Sequence, residues 1–559
     1  MRVGVIMDDF SLRAFASEWR QVELTQQGWR AQVQAEPVDL LVVESAWNAN
    51  HGSWQYALTG SRAPVPELRA LVEWCAGQGI PTVFWNKEDP VHFDDFIDTA
   101  RLFDVVLTTD GDMVTTYRDI LGHDRVHPMP FAAASWIHNP VRRHGRPLRD
   151  IAFAGMYFAH KYPERRAQMD LLLGAACSVS PRLETGLDIF SRFHGGDDRY
   201  QFPAPFDEYV VGSLRYDQVL SAYRDYKVFL NVSSVPDSST MCPRRVFEIS
   251  ACATPVVSTP TPALDNVFAP DEMVTVSDPE QARWTLRALV GNDEWRERLA
   301  HRAARRVLSE HTYRHRVDDL LGHVDLTVHR VTDPSVSVVT ATNRPYQVEH
   351  ILRSVATQRE VQAQLVLVTH GFDAPPWLQD KADELGLPSV EVRQAEPSLS
   401  LGACLNHGIQ AADGDVVAKM DDDDLYGPHY LADQLRALDY SGADVVGKRA
   451  HHMLISDTGA LVVRFPYYER MLTDLVMGPT LMLHRDLATR LPFADLTRGE
   501  DTDFLRRVLL EGGRIYASDR YNFVQVRRDT GHTWQVSTAE LLANARVVAF
   551  GAGTEHVFV

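Results

Sequence analysis

Gly414-Asp415-Val416-Val417-Ala418-Lys419-Met420-Asp421-Asp422-Asp423-Asp424 runs a strand-like apolar segment straight into four consecutive carboxylates. Val416 to Met420 reads as a buried strand, so the aspartates emerge at its carboxyl end, the edge where open α/β sheets bind ligands. Alternation along a strand predicts Asp421 and Asp423 on one side and Asp422 on the other. Carboxylate oxygens are hard ligands, suited to Mg²⁺ or Mn²⁺ holding a diphosphate. The competing description is an acidic loop on an acidic protein. Adjacent like charges repel unless a cation offsets them, and these follow a core strand instead of lying in a tail.

Around this stretch the chain alternates strand and helix patterns. Val336 to Thr340 and Gln364 to Thr369 precede it as strands, with a helix pattern from about Gln347. Earlier, Val3 to Met7, Leu40 to Val43, Thr82 to Trp85 and Val105 to Thr108 are short apolar strands separated by helix-like segments. A second such block starts near Arg149 and ends in the charged run Glu294 to Leu321. The pattern predicts an α/β chain with parallel sheets: a Rossmann-like lobe over 1–149, a second over 150–325, a linker over 326–335 and a separate α/β domain over 336–559.

The 559 residues carry a net charge of −19, with 45% hydrophobic and 23% charged residues. That is globular composition, and its acidity argues against sequence-independent nucleic-acid binding. The five cysteines contain no C-x-x-C pair, which excludes a disulfide scaffold or four-cysteine zinc site and fits a reducing compartment. No stretch approaches 18 apolar residues, so no membrane span is expected and a cytoplasmic location is.

Four motifs in order carry a family resemblance: Val336 to Pro345, Ser400 to Ile409, the aspartate cluster with Pro428, and Gly499-Glu500-Asp501-Thr502-Asp503-Phe504. Together they resemble family 2 glycosyltransferases of the GT-A fold, over roughly Val336 to Trp534. The resemblance implies a nucleotide-sugar donor, UDP-linked by family frequency, held through Mn²⁺ or Mg²⁺, and an inverting outcome. It places Asp421 and Asp423 on the D-x-D metal positions. Asp501 falls on the aspartate of the Glu-Asp motif, the usual general base. Thr340, Asn343, Arg344, Thr369, Asn406, Asp421 and Asp422 are the implied donor contacts. His532 is a third metal ligand or diphosphate contact, or a lone loop histidine; Arg527 and Arg528 could hold phosphate oxygens or solvate a loop. The chemistry agrees, since inverting transfer needs a carboxylate to take the acceptor's proton and a cation to stabilise the leaving diphosphate. Acidic residues also favour a first helical turn for dipole reasons alone. The sequence departs from the family where Thr369-His370-Gly371 replaces a pair of aspartates, and where Leu405 replaces an arginine before Asn406; both leave the nucleotide open.

In the first half, strand Val228 to Val232, the polar loop Pro236 to Pro243 and the helix start Arg244 to Cys252 make a ready anion site. Arg244 or Arg245 can pair with phosphate, and Glu248, one turn on, can accept ribose hydroxyls or serve as an ordinary ion-paired helix residue. This stretch, with Ala152 to Gly155, resembles the donor half of GT-B glycosyltransferases of the CgeB-like group. Gly155, Arg244, Arg245 and Glu248 are the implied nucleotide-sugar contacts. A base for that site would lie at a strand end of the first lobe, where Asp8, Asp9, Glu88, Asp89 and His92 all qualify.

Three functions compete. The first is a bifunctional glycosyltransferase acting on a glycan or other acceptor, fusion raising the effective concentration of the intermediate. The second is one active GT-A domain with a glycan- or acceptor-binding N-terminal module. The third, a nucleotidyltransferase, is disfavoured because Thr340 to Pro345 has no glycine.

Overall fold

Interior parallel strands are buried on both faces and read as continuous apolar runs. The structure, a computed structural model, describes residues 1–60, 63–326, 334–528, 536–551 and 553–559, and interior strands such as Leu40–Glu44 and Val416–Lys419 are buried along their whole length. The chain divides into two units, Met1–Pro140 with Pro147–His329, and Val141–Arg146 with Arg330–Val559. The expected linker at 326–335 falls largely outside the described residues. No helix among the described residues is long and apolar enough to cross a membrane.

The first unit holds two all-parallel sheets of six strands. The first runs in the order Arg20–Glu23, Arg2–Ile6, Leu40–Glu44, Thr82–Asn86, Val105–Thr108, Val126–Pro128. The second runs Val274–Thr275, Val256–Ser258, Tyr226–Leu230, Arg149–Gly155, Leu187–Ser191, Val210–Gly212. In the second sheet Arg149–Gly155 lies between Leu187–Ser191 and Tyr226–Leu230. Connections therefore leave it in opposite directions, opening a crevice at its carboxyl end beside Gly155. The charged run resolves into helices Asp293–Glu310 and Tyr313–His323. The second returns to the first lobe, burying Tyr313, Val317 and Leu320 with Val3, Val5 and Trp85.

In the second unit an eight-stranded sheet runs Val390–Ala395, Ala363–His370, Val336–Thr342, Val416–Lys419, Met482–His484, Val445–Gly447, Ile515–Ala517, Met471–Thr473. The first four are parallel, and the order reverses between Val336–Thr342 and Val416–Lys419. A second sheet of five strands, Leu425–Tyr426, Phe523–Arg527, His451–Ile455, Ala460–Arg464 and Ala545–Phe550, has no counterpart in the sequence reading. Within this unit Val141–Arg146 is anchored by the Arg142 amide, which donates to the Arg470 carbonyl at 2.7 Å.

Period-2 alternation sorts the two sides of the large sheet. Val338, Leu365, Leu367 and Ala418 pack with Ile351, Leu352 and Leu431 on one face. Val339, Val366 and Val417 pack with Leu405, Phe504 and Leu505 on the other. Lys419, two residues after Val417, thus belongs to the face covered by helix Glu500–Leu510.

Candidate active site

The strand ends at Lys419, so its alternation does not carry into the aspartates, which form a turn. Strand alternation therefore does not set where Asp421, Asp422 and Asp423 point. Arg344 Nη1 instead reaches both Asp422 Oδ1 at 2.8 Å and Asp423 Oδ2 at 2.7 Å. The Thr342 hydroxyl donates to Asp422 Oδ2, and the Arg344 amide donates to Thr342 Oγ1 at 3.0 Å. Asp421 meets a different cation, its Oδ1 3.2 Å from Lys419 Nζ. Asp424 is buried and accepts from the Val526 amide at 2.9 Å. Burial and the neighbouring Asp421 and Asp423 push its pKa well up.

The carboxylate run is therefore partly neutralised by the chain itself, through Lys419 and Arg344. Charge repulsion alone does not demand a metal. The donor set still fits one. Among the described residues Asp421 and Asp423 each commit one oxygen to a protein cation and leave the other open, as a hard divalent ion requires.

Glu500 and Asp501 start helix Glu500–Leu510, preceded by Gly499 at φ 78°, a left-handed position that suits glycine. Asp501 Oδ2 lies 3.2 Å from Lys419 Nζ, and its Oδ1 has no hydrogen-bond partner among the described residues. Lys419 is only 5% exposed. Burial opposes its charge, but Asp421, Asp501 and Glu500 outweigh it and raise its pKa. Glu500, also buried, is pushed up to about 7 by burial and then by Asp501. Gly478 presses on the same carboxylate: a Cβ there would stand 1.8 Å from Asp501 Oδ2.

Other expected donor contacts lie at the carboxyl ends of the neighbouring strands. Thr342 pairs in register with Thr369. Thr340 and Thr369 are buried with hydroxyl oxygens that find no partner among the described residues. Asn343 is exposed. Asn406 spends its amide on the Phe493 backbone, donating at 2.8 Å and accepting at 2.8 Å. His532 lies outside the described residues. Sequence reasoning missed Lys419, Thr342 and Gly478. A charged residue inside an apolar strand was a usable signal for Lys419; Gly478 gave none, because its role is a close approach made by the fold.

In the first unit Glu248 is 1% exposed and fully engaged. Its Oε1 is 2.9 Å from Arg244 Nε and 3.5 Å from His138 Nε2, and it accepts from the hydroxyls of Tyr216 at 3.4 Å and Tyr223 at 3.2 Å. Arg245 donates to the Ala154 carbonyl, beside Gly155. Nearby, Arg165 donates to Ser234 Oγ at 2.7 Å, has no carboxylate partner among the described residues, and leaves its Nε unpaired. Burial, with Arg245 beside it, lowers Arg165 to about 9.

At the strand ends of the first lobe the five base candidates separate. Asp8 caps helix Asp9–Ala14 and pairs with Lys87, which also meets Glu44 Oε1 at 3.0 Å. Asp89 is buried, accepting from Asn86, Thr108 and Tyr117. Asp9 pairs with His51 at 3.0 Å and His92 with Asp95 at 2.8 Å. Burial raises the pKa of Glu88, with Lys87 and His92 opposing.

Residues 337–486 match the model of glycosyl transferase family 2, and residues 182–322 match one described as glycosyl transferase-like. No curated protein matches the chain. Among solved structures it is similar to the mannosyltransferase PcManGT from Pyrobaculum calidifontis in complex with GDP-Man and Mn²⁺, at 18% identity and a TM-score of 0.28, covering 36% of this chain and 59% of that one. It is likewise similar to the S. aureus TarS 1-349 fragment in complex with UDP-GlcNAc, at 20% identity and a TM-score of 0.30, covering 36% of this chain and 62% of that one. The chain thus spans about three-fifths of the length of each of these two structures. Two family models thus match the chain in tandem, one described as glycosyl transferase-like over residues 182–322 and glycosyl transferase family 2 over residues 337–486.

Proposed function

We propose that this chain is a bifunctional glycosyltransferase whose family 2 domain moves a sugar from a nucleotide-sugar donor, UDP-linked by family frequency, to a glycan or other hydroxyl-bearing acceptor with inversion. The observation that carries this reading is the state of Asp501: one oxygen is held by Lys419 and the other, buried, has no partner among the described residues. A carboxylate oxygen left without a partner beside the aspartate turn supports the reading of Asp501 as the base that takes the proton of an acceptor hydroxyl as its oxygen attacks the anomeric carbon. Asp421 and Asp423 would hold Mn²⁺ or Mg²⁺, which supplies Lewis-acid stabilisation of the departing nucleoside diphosphate. Thr340 and Thr369, whose buried hydroxyls have no partner among the described residues, would serve the nucleoside side. PcManGT with GDP-Man and Mn²⁺ and TarS with UDP-GlcNAc name the donor chemistries to try first.

In the N-terminal unit, Arg245 beside Gly155 and Arg165 near it supply positive charge without an ion-paired carboxylate among the described residues, which supports a second donor site there. A binding-module reading of that unit is favoured by the engagement of Glu248, Asp8 and Asp89, which leaves few groups free for proton transfer.

The test is Asp423→Ala in the full-length chain, assayed with a panel of nucleotide sugars with and without Mn²⁺. Metal-dependent donor turnover should fall by at least about 10²-fold with an unchanged circular-dichroism spectrum. A wild-type rate that persists undiminished in EDTA refutes the metal assignment.

A further inference from the structure

We infer that Lys419 is a positioning residue of the family 2 site: its ammonium group ties the carboxylate of Asp421 to that of Asp501, fixing which oxygen Asp501 presents and limiting how tightly a divalent cation binds Asp421. This rests on the reading of the site given above.

The placement follows from the sheet. Alternation puts Lys419 on the face of Val417, the face that helix Glu500–Leu510 covers, while the chain turns at its next residues into the aspartates. A lysine closing an apolar strand is costly to bury unless it is paired. Here it is 5% exposed, and its Nζ stands 3.2 Å from each of two carboxylates that are 80 positions apart in the sequence. The two carboxylates have different tasks, one on the metal side and one accepting the proton. A single cation between them offsets their mutual repulsion, to which buried Glu500 adds.

Asp501 is gripped from two sides. Lys419 holds Oδ2, and the Gly478 backbone crowds the same oxygen so closely that no side chain fits there. The carboxylate cannot rotate freely, and Oδ1 remains the oxygen without a hydrogen-bond partner among the described residues. The same ammonium occupies Asp421 Oδ1. A divalent ion must then bind a carboxylate that already carries a positive neighbour, which weakens it by ordinary Coulomb repulsion.

The experiment uses the full-length chain, Lys419→Met and Lys419→Arg. Mn²⁺ alone is titrated by calorimetry, and kcat and donor KM are measured with the best donor from the panel. Met matches the stem of lysine without its charge, so a merely space-filling Lys419 would leave all three quantities unchanged. Expected for Lys419→Met are Mn²⁺ binding about tenfold tighter and kcat about 10²-fold lower, with donor KM altered less than about threefold. Lys419→Arg should recover kcat to within about tenfold of wild type. Unchanged or weaker Mn²⁺ binding, or an unchanged kcat, overturns the inference. Should Lys419→Met fail to fold, Lys419→Gln decides on the same two measurements. A wild-type chain that neither binds Mn²⁺ nor turns over any nucleotide sugar would instead overturn the reading of the site itself.

Discussion

Gly478→Ala tests the base without replacing any charged group. Gly478 has no unusual backbone angle; what requires glycine is the approach of Asp501. The added methyl carbon would sit 1.8 Å from Asp501 Oδ2, 2.6 Å from its Cγ and 3.3 Å from its Cβ. An ordinary contact is about 1.6 Å longer than the first of these. The carboxylate is the end of a side chain, so it yields before the backbone does, leaving Lys419 and carrying Oδ1 away from where an acceptor hydroxyl would stand. A misplacement of about 1 Å at the reacting group costs on the order of 10²-fold in rate, equivalent to about 2.7 kcal/mol of barrier. Donor and metal contacts at Asp421 and Asp423 are not moved. Gly478→Ala should therefore keep Mn²⁺-dependent donor affinity by calorimetry and a melting temperature close to wild type, while kcat for transfer falls about 10²-fold. A variant that turns over at the wild-type rate would refute both the base assignment and the clamp on Asp501.

Two further expectations concern stability. Glu500 titrates near 7 in the folded chain against an ordinary 4.5, because burial and Asp501 favour its neutral form. The native state then holds a proton that the unfolded chain has lost, so stability declines as pH rises from about 4.5 through 7. Glu500→Gln should remove up to about 3 kcal/mol of that decline in metal-free protein, read from urea midpoints at pH 5 and pH 8; an unaltered pH slope counts against it. Glu248→Ala leaves half-buried Arg244 unpaired with Glu248, beside His138, Tyr216 and Tyr223, which lose their acceptor. It should destabilise the first unit by about 3 kcal/mol and, if that unit is a second transferase, abolish one of two separable transfers. A denaturation midpoint within error of wild type would show the network to be dispensable.

Much of this was readable in the chain. Apolar runs marked the parallel strands because interior strands must be apolar on both faces, and the carboxylates following Met420 marked a sheet edge where ligands bind. The Gly before Glu500 marked a helix start, and the structure begins a helix there. Short edge strands such as Arg20–Glu23 and Val210–Gly212, and the five-stranded second sheet, were not legible: they are half-exposed or brief, and their pairing is set by distant partners. Asn406 and Glu248 have the residue types of ligand contacts, yet the fold spends them on Phe493 and Arg244.

The order of the residues alone determined that the chain is α/β, where its core strands run, and that carboxylates stand at the mouth of one of them, since periodicity and side-chain chemistry are local properties. Only the tertiary structure decided which charges meet. Lys419, Asp421 and Asp501 come together because a helix begun 81 positions after Lys419 lies across the face of the strand that ends there. Such a contact depends on how helix and sheet pack, and no spacing along the sequence encodes it.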